Sequence, residues 1–600
     1  MAEIFTRPRN RSPRRANRLL DVTVRDFSGG WNVVDNDLNM ATKFSKNLKN
    51  MRLGEDGSIE VRPGTKLFSD LDGLLDSIIN IKYYNGHVIA VGKNGNIVKI
   101  DSEGTAHTLF NEEYANALSG SPSKWDTTDF CSFAEFNGDL IICNGVNKPL
   151  KVNNSMQCTY LNDPATGSNA NTPIGKYVVA HDRYLIIAGN PDSPDTIYIS
   201  STDTNGVFVN DPTPNDSVNI NLGSRVPQGS QTITGLGRFR DRLLIAFENV
   251  TLVGTLGSFK EDVHVPTFDD AIEEQGTISH RALSTVGEDM LFCDNVGVAS
   301  VSKALYTGAV KSDRISALVD PEIQKTLGKF TDSTGLRNRT FSVFDSLEQS
   351  YMLFIPNADG LTETTETRGF AYRRIKSLRV KSWYEVTNME WSCATISALK
   401  RVFFAKGTEV FIYGNDADPV HKDREGSEEM FDDDFTFTDY TGFSPVADSK
   451  DSGIYIPFEW ELPWSDNQAR FNVKVSRYIN FDTEGDQRFS AQMFVDNIYE
   501  KTDDFGETWL DDFTFDDSLG WDVEVLDPAL EMEFLGGTAP GFGTDEYGQL
   551  YGGGRPTRIE NLYAWTSKYK LFKLRVIGDA AGPLKFVSLT LAYNTGSIRR

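Results

Sequence analysis

Short, uninterrupted apolar runs recur about every fifty residues through the middle of this 600-residue chain, each set between polar turns and followed by a second strand-like run. The unit reads GHVIAVGKNGNIVKI from Gly86, GDLIICNGVNKPLKV from Gly138 and DRYLIIAGNPDSPDTIYIS from Asp182. It returns as DRLLIAFENVTLVGTLG from Asp241, GEDMLFCDNVGVASVSK from Gly287, a weaker SYMLFIP around Tyr351, and RVFFAKGTEVFIYG from Arg401. The anchors Val88, Leu140, Tyr184, Leu243, Leu291, Met352 and Val402 lie 44 to 61 residues apart. Asn-Gly, Asp-Asn and Lys-Gly turns supply the positive φ that tight hairpins require. A unit of this size cannot bury its own face and must stack on neighbours. Fifty residues accommodate about four short strands with their turns, which is one propeller blade. Seven such units predict a mainly β protein built on a β-propeller of six to eight blades.

The flanks have a different pattern. Residues 1–20 read as a flexible arm carrying Arg7, Arg9, Arg11, Arg14, Arg15 and Arg18, with few apolar residues to offset the entropy of ordering them. Leu38 to Met51 has a helix-compatible composition, with Phe44, Leu48 and Met51 three or four residues apart. Glu55-Asp56-Gly57 predicts a tight turn and Ser58 to Val61 a strand. Residues 416–453 form a polar, acidic break. Period-two alternation then returns, for example Phe471, Val473 and Val475 against Asn472, Lys474 and Ser476. The expected division is 1–20 arm, 21–70 platform, 71–415 propeller, 416–453 acidic linker and 454–600 platform and tip. An acidic insertion occupies 502–550. Residues 21–70 and 454–600 are expected to form one platform from which the propeller is inserted.

Charge sharpens this division. The chain carries a net −25, yet residues 1–66 have a surplus of +5 and residues 555–600 a surplus of +7, leaving −37 on the middle. Between Thr502 and Glu533 there are twelve acids and no base. Such a middle is a poor match for tight DNA binding, which needs a Lys/Arg footprint. The five cysteines form no CxxC pair and several sit in apolar strands, so they read as reduced structural thiols. The basic start lacks an apolar stretch behind it and reads as no signal peptide. No apolar run approaches the length of a membrane helix.

No catalytic constellation stands out. The six histidines are scattered, without HExxH or paired-His spacing. His181 reads as a turn residue. Gly235-Leu236-Gly237 and Gly552-Gly553-Gly554 read as β-turns, not nucleotide loops. Asp35-Asn36-Asp37 and the run Asp482 to Asp486 lack EF-hand spacing. Thr502, Asp504, Gly506, Thr508 and Trp509 fit the Asp-box hairpin of sialidase-type propellers, and Ser201, Asp203, Asn205 and Phe208 are a degenerate copy. That hairpin is structural, and the acid and nucleophile of a glycosidase cannot be picked out. The expectation is no enzyme, no cofactor and no metal.

The two ends carry a resemblance. The run DFSGGWNVVDNDLNM…NLKNMRLGEDGSIEVRPGTKLF, from Asp26 to Phe68, resembles the start of tail proteins of short-tailed bacteriophages. IPFEWELPW (Ile456 to Trp464), KVSRYINFDTEG (Lys474 to Gly485), YGGGRPTRIENLYAWTSKYKLFKLRV (Tyr551 to Val576) and the closing LTLAYNTGSIRR resemble the same group. The family is the tail nozzle, also called tail tubular protein B or packaged-DNA stabilisation protein. The resemblance implies a structural virion protein, assembled in the host cytoplasm, forming a homohexameric ring at the distal end of the tail. It would continue the DNA channel from the head-to-tail adaptor, retain packaged double-stranded DNA and release it on host contact. Tail fibres or spikes would be further partners, and no membrane insertion by this chain is implied. Acidic walls would guide DNA without holding it. On that reading Asp432, Asp433, Asp434, Asp511, Asp512, Asp516 and Asp517 are candidate channel or gate residues, and Arg7, Arg9, Arg11, Arg14, Arg15 and Arg18 candidate adaptor or DNA contacts. The alternatives are a propeller-type receptor- or glycan-binding tail component and a propeller glycosidase.

Overall fold

The computed structural model describes residues 19–111, 125, 130–161, 171–201, 208, 217–226, 231–256, 266–272, 275–302, 314–329, 337, 339–356, 367–375, 377–378, 380–414, 423, 455–465, 473–485, 489–495, 531–534, 557–558, 562–563, 571–580 and 582–596.

Each of the seven anchors lies in the second strand of its own antiparallel unit. Blade 1 runs Ile78–Tyr84, His87–Gly92, Ile97–Ile100 and Ala106–Phe110, and blade 2 runs Ser132–Phe136, Asp139–Cys143, Leu150–Val152 and Cys158–Tyr160. Blade 3 is Tyr177–His181, Tyr184–Asn190, Ser193–Ile199 and Val218–Asn221; blade 4 is Ile233–Phe239, Arg242–Phe247, Thr251–Leu256 and Pro266–Ile272. Blade 5 shows Ser284–Val286, Asp289–Cys293 and Val298–Ser300. Blade 6 is Phe341–Asp345, Ser350–Pro356, Thr367–Ile375 and Val380–Met389. Blade 7 takes Cys393–Ile396, Val402–Lys406 and Glu409–Tyr413 and completes itself with Thr65–Asp70, antiparallel to Glu409–Tyr413. The architecture is therefore a seven-bladed β-propeller closed by a strand from before the first blade.

The sequence places Thr65–Asp70 with the platform, but its hydrogen bonds belong to blade 7. The ring seam is pinned further in by the Tyr83 N–H, which donates to Thr395 Oγ1 at 2.9 Å across blades 1 and 7. First strands of neighbouring blades pack together around the axis, while second strands are covered on both faces. That double burial makes the second strands continuous apolar runs. The hairpin turns before them use positive φ: +45° and +83° at Asn85-Gly86, +51° and +85° at Asn137-Gly138.

Blade 6 does not end at its fourth strand. Val380–Met389 pairs in parallel with Asn47–Lys49 at Glu385 and Lys49, and the sheet continues through Ile456–Glu461, Phe572–Ala580, Phe489–Val495 and Glu531–Phe534. A second, seven-stranded sheet contains Leu19–Val24, Met51–Leu53, Ile59–Val61, Val473–Gly485, Thr557–Arg558, Leu562–Tyr563 and Leu584–Gly596. Between these sheets Phe458, Trp460, Phe481, Phe489 and Phe586 form an aromatic cluster, with Phe489 and Phe586 ring centroids 5.0 Å apart. Strands from before and after the propeller thus share both sheets.

No helix forms over Leu38 to Met51. The segment is turns followed by Phe44–Ser45, Asn47–Lys49 and Met51–Leu53. Asn50 sits at φ +52°, outside the helical region, where the chain steps from one sheet to the other. Helical spacing of Leu48 and Met51 was therefore misleading: each is buried as a strand residue in a different sheet. Asp56 and Gly57 do make the tight turn, and Ile59–Val61 the strand after it. His181 is not in a turn; it ends the first strand of blade 3 with a fully buried ring, Nε2 lying 3.1 Å from the Asp241 carbonyl.

Candidate functional site

The acidic residues Asp432, Asp433, Asp434, Asp511, Asp512, Asp516 and Asp517 lie outside the described residues. So do Arg7, Arg9, Arg11, Arg14, Arg15 and Arg18, and the Asp-box run from Thr502 to Trp509. Among the described residues, no group of three or more His, Cys, Asp or Glu side chains could hold a metal ion, and no helix is long and apolar enough to cross a membrane. The polar chemistry that is described gathers in two places, the propeller axis and the seam between propeller and platform.

At the axis, the chain entering blade 5 makes a single turn of 3-10 helix, His280–Ala282, capped by Ser279 Oγ accepting from the Arg281 N–H. Arg281 Nη1 donates to the Ile79 carbonyl of blade 1 at 2.8 Å and to the Ser392 carbonyl before blade 7 at 3.4 Å. Its guanidinium also lies over Phe130, ahead of blade 2. His280 packs against Phe130 and Tyr177, and its Nδ1 accepts the Leu236 N–H of blade 4 at 3.2 Å, which leaves the ring proton on Nε2. In a ring of seven, one turn that touches blades 1, 2, 3, 4 and 7 from blade 5 must cross the axis. Lys176 adds a second cation over Phe130, its ammonium 4.8 Å from the ring centre. Burial, and then Arg281, pull the His280 imidazole down to about 4 and Lys176 to about 8. The axis at this level is therefore filled by aromatic and basic side chains, with a neutral histidine among them.

The seam is built from the two ends of the chain. Asn50 is its hub. The Asn50 Oδ1 accepts from Arg62 Nε at 2.8 Å and from the Thr387 N–H at 2.9 Å; its Nδ2 donates to Thr387 Oγ1 and to the Pro457 carbonyl. Arg62, fully buried, makes a two-pronged pair with Asp423, 2.9 Å and 2.5 Å, and also donates to the Pro63 and Thr387 carbonyls. Burial alone would lower the Arg62 guanidinium; the Asp423 charge outweighs it and holds the group above its ordinary value. The Arg62-Pro63-Gly64 run thus ties the N-terminal strands to blade 6 and to the segment after blade 7.

Gly30 and Trp31 act at the same seam. Gly30 has φ +65°, and a Cβ there would meet the Ser382 Cβ of blade 6 at 2.6 Å. Trp31 stacks on Phe370 at 6.0 Å, and the Arg368 guanidinium lies over both rings. Arg368 in turn pairs with Glu385 at 2.6 Å and with Glu322 of the helix Asp320–Leu327 at 2.7 Å. Nearby, Arg52 and Arg373 share Glu60 and Glu348. On the platform side Trp460 meets Phe27 edge-on at 5.2 Å and donates from Nε1 to Ser45 Oγ, while Glu459 binds Lys49 and Arg575. All five cysteines are buried free thiols; burial raises Cys393 to about 11 and Cys158 to about 12.

No protein-family model and no curated protein matches the chain. Its fold is similar to that of solved propellers. The WD40 propeller domain of Doa1 is 10% identical over 59% of this chain and 98% of that one, with a TM-score of 0.35. The Neurospora crassa Pan2 WD40 domain is 7% identical over 59% and 94%, with a TM-score of 0.34. Streptogramin B lyase is 11% identical over 57% and 95%, with a TM-score of 0.31. Likeness of this degree carries no information about activity.

Proposed function

We propose that this chain is a structural subunit of a short phage tail, the nozzle that continues the DNA channel below the head-to-tail adaptor. One observation carries the reading. The runs that resemble nozzle proteins lie about four hundred residues apart in sequence, and their side chains meet at one seam: Phe27 packs on Trp460, Trp460 Nε1 donates to Ser45 Oγ, and Lys49 pairs with Glu459. Motifs that build a shared scaffold are what a wall subunit needs. The filled axis agrees with this reading: the duplex would pass along the axis of a ring of such subunits, not through the propeller itself.

The subunits would form a homohexamer docked on the adaptor, with acidic loops facing DNA and repelling its phosphates. The test is mass photometry of the purified chain with and without adaptor. A free species near six times 66.9 kDa, or an adaptor heavier by that amount, supports the reading. A chain that stays monomeric in the presence of a competent adaptor ring overturns it.

A further inference from the structure

A cleft of about 510 Å³ opens between blades 2 and 3, at the end of the propeller where the Arg281 turn fills the axis. One wall is the blade 2 turn with Gly145, Val146 and Lys148; the other is the blade 3 turn with Asn190, Pro191 and Asp192, backed by Tyr198 and Asn219. The two walls are locked together. The Gly145 N–H donates to the Gly175 carbonyl at 3.0 Å, and the Asn144 Oδ1 accepts from Val146 and Asn147 to shape the first turn. On the other side, Asn190 Nδ2 donates to Tyr198 Oη at 3.1 Å while Asn190 Oδ1 accepts the Asp192 N–H at 2.9 Å. Asn190 therefore fixes both the aromatic ring and the carboxylate-bearing turn before any ligand arrives.

With that framework set, the Asp192 carboxylate and the Asn171 and Asn219 amides line the cleft, and among the described residues these side chains have no hydrogen-bond partner. Planar amides and a carboxylate offer both donors and acceptors, the chemistry that pairs with hydroxyls. The Tyr198 ring, with Val146 and Pro191, offers an apolar surface for a ring's C–H face. The volume falls within the range of small-ligand sites. Lys148 on one wall and Asp192 on the other give the cleft one charge of each sign, which favours a neutral polyhydroxyl ligand over a phosphate-rich one, and a long apolar ligand would leave three polar groups unpaired.

We infer that this cleft is a saccharide-binding site that takes one or two pyranose rings. The inference is independent of the hexameric reading, since every residue comes from one propeller. The experiment is saturation-transfer NMR on the full chain with maltose, lactose and chitobiose, each at about 10 mM, a concentration suited to millimolar affinity. Transfer to at least one disaccharide is expected, with a fivefold or greater loss of affinity in Asp192→Ala and in Asn219→Ala. Both residues are exposed, so neither change should disturb folding, and Tyr198→Phe tests the Asn190 lock with the ring retained. No transfer from any of the three, or affinity unchanged in both alanine variants, overturns the site. Binding lost with either variant while the assembly mass stays unchanged separates this site from the wall function.

Discussion

The two sides of the propeller are held together differently. Between blades 1 and 2, 2 and 3, 3 and 4, and 4 and 5, each interface has its own small apolar cluster. On the other side, blades 5, 6 and 7 merge with both platform sheets into one continuous core running from Val298 through Phe354 and Phe404 to Trp460 and Phe586. The free side relies on repetition: any blade needs only its neighbours. The platform side relies on distant segments meeting, and the buried Arg62 and Arg373 and the half-buried Arg52 and Arg368 lie there. Arg62, Arg52, Arg373 and Arg368 all face carboxylates across this region. An apolar interface tolerates small changes of angle, whereas a two-pronged buried ion pair fixes one arrangement. The difference makes the propeller and platform one body, with its precision concentrated at Asn50 and Arg62.

The largest effect is expected from Arg62→Leu. It leaves Asp423 buried without its cation and strips Asn50 of a donor, so stability should fall by about 3–5 kcal/mol. Hydrogen exchange should then rise in both Val380–Met389 of blade 6 and Ile456–Glu461 of the platform. A loss confined to one of the two would mean that they are separate bodies. Next in size is Ile186→Ala, within the cluster between blades 3 and 4, costing about 2–5 kcal/mol for the lost burial and cavity. Its increased exchange should stay within those blades. If the platform strands open too, the free side is not the set of local contacts described above.

These two sites also show what the chain reveals in one dimension. Ile186 belongs to a run, YLIIAG, that is apolar at every position because strands cover it on both faces; repeats of that kind are visible without knowing the fold. Arg62 stands in a polar stretch, and its partner Asp423 sits in an acid-rich break that reads as linker. Only the merging of blade 6 with the platform brings them together. Arg281 is equally silent, because its partners come from residues 79, 130 and 392 and require a closed ring. At Asn50, tertiary pairing overrode a helix-compatible spacing, as two sheet edges outweigh the weak preference of one short segment. The acidic and Arg-rich candidates have a clear compositional signal, yet composition says nothing of what they face.

A pH series sets the axis against the seam with opposite signs. His280 titrates near 4 when folded and near 6.5 when unfolded, so its contribution is complete above 6.5 and is lost as pH falls toward 4. Asp345, buried in blade 6 beside Glu348, is raised from 3.8 to about 6, with burial the main cause. Its folded form keeps the proton, so its contribution is present below 3.8 and is lost as pH rises through 6. Relative to the parent, His280→Gln should gain about 2–3 kcal/mol as pH is lowered from about 7 to about 4. Asp345→Asn should lose a similar amount over the same span. Denaturant midpoints across pH measure both, and equal slopes in the two variants would remove the electrostatic distinction between axis and seam.

The smallest effect belongs to the ring closure. Thr395→Val removes the acceptor for the Tyr83 N–H between blades 1 and 7, at a cost of about 1 kcal/mol. The loss is small because closure is also carried by an apolar cluster that joins Ile78, Ile81 and Val88 of blade 1 to Phe403 and Val410 of blade 7, and by the backbone of Thr65–Asp70, which pairs with Glu409–Tyr413. That strand leaves the Arg62 knot after two residues, so the seam with the platform also tethers the strand that closes the ring. Hydrogen exchange in Cys393–Ile396 and Ile78–Tyr84 should therefore respond more to Arg62→Leu than to Thr395→Val. The reverse order would show that the ring closes on its own inner strands and that the platform merely rests against it.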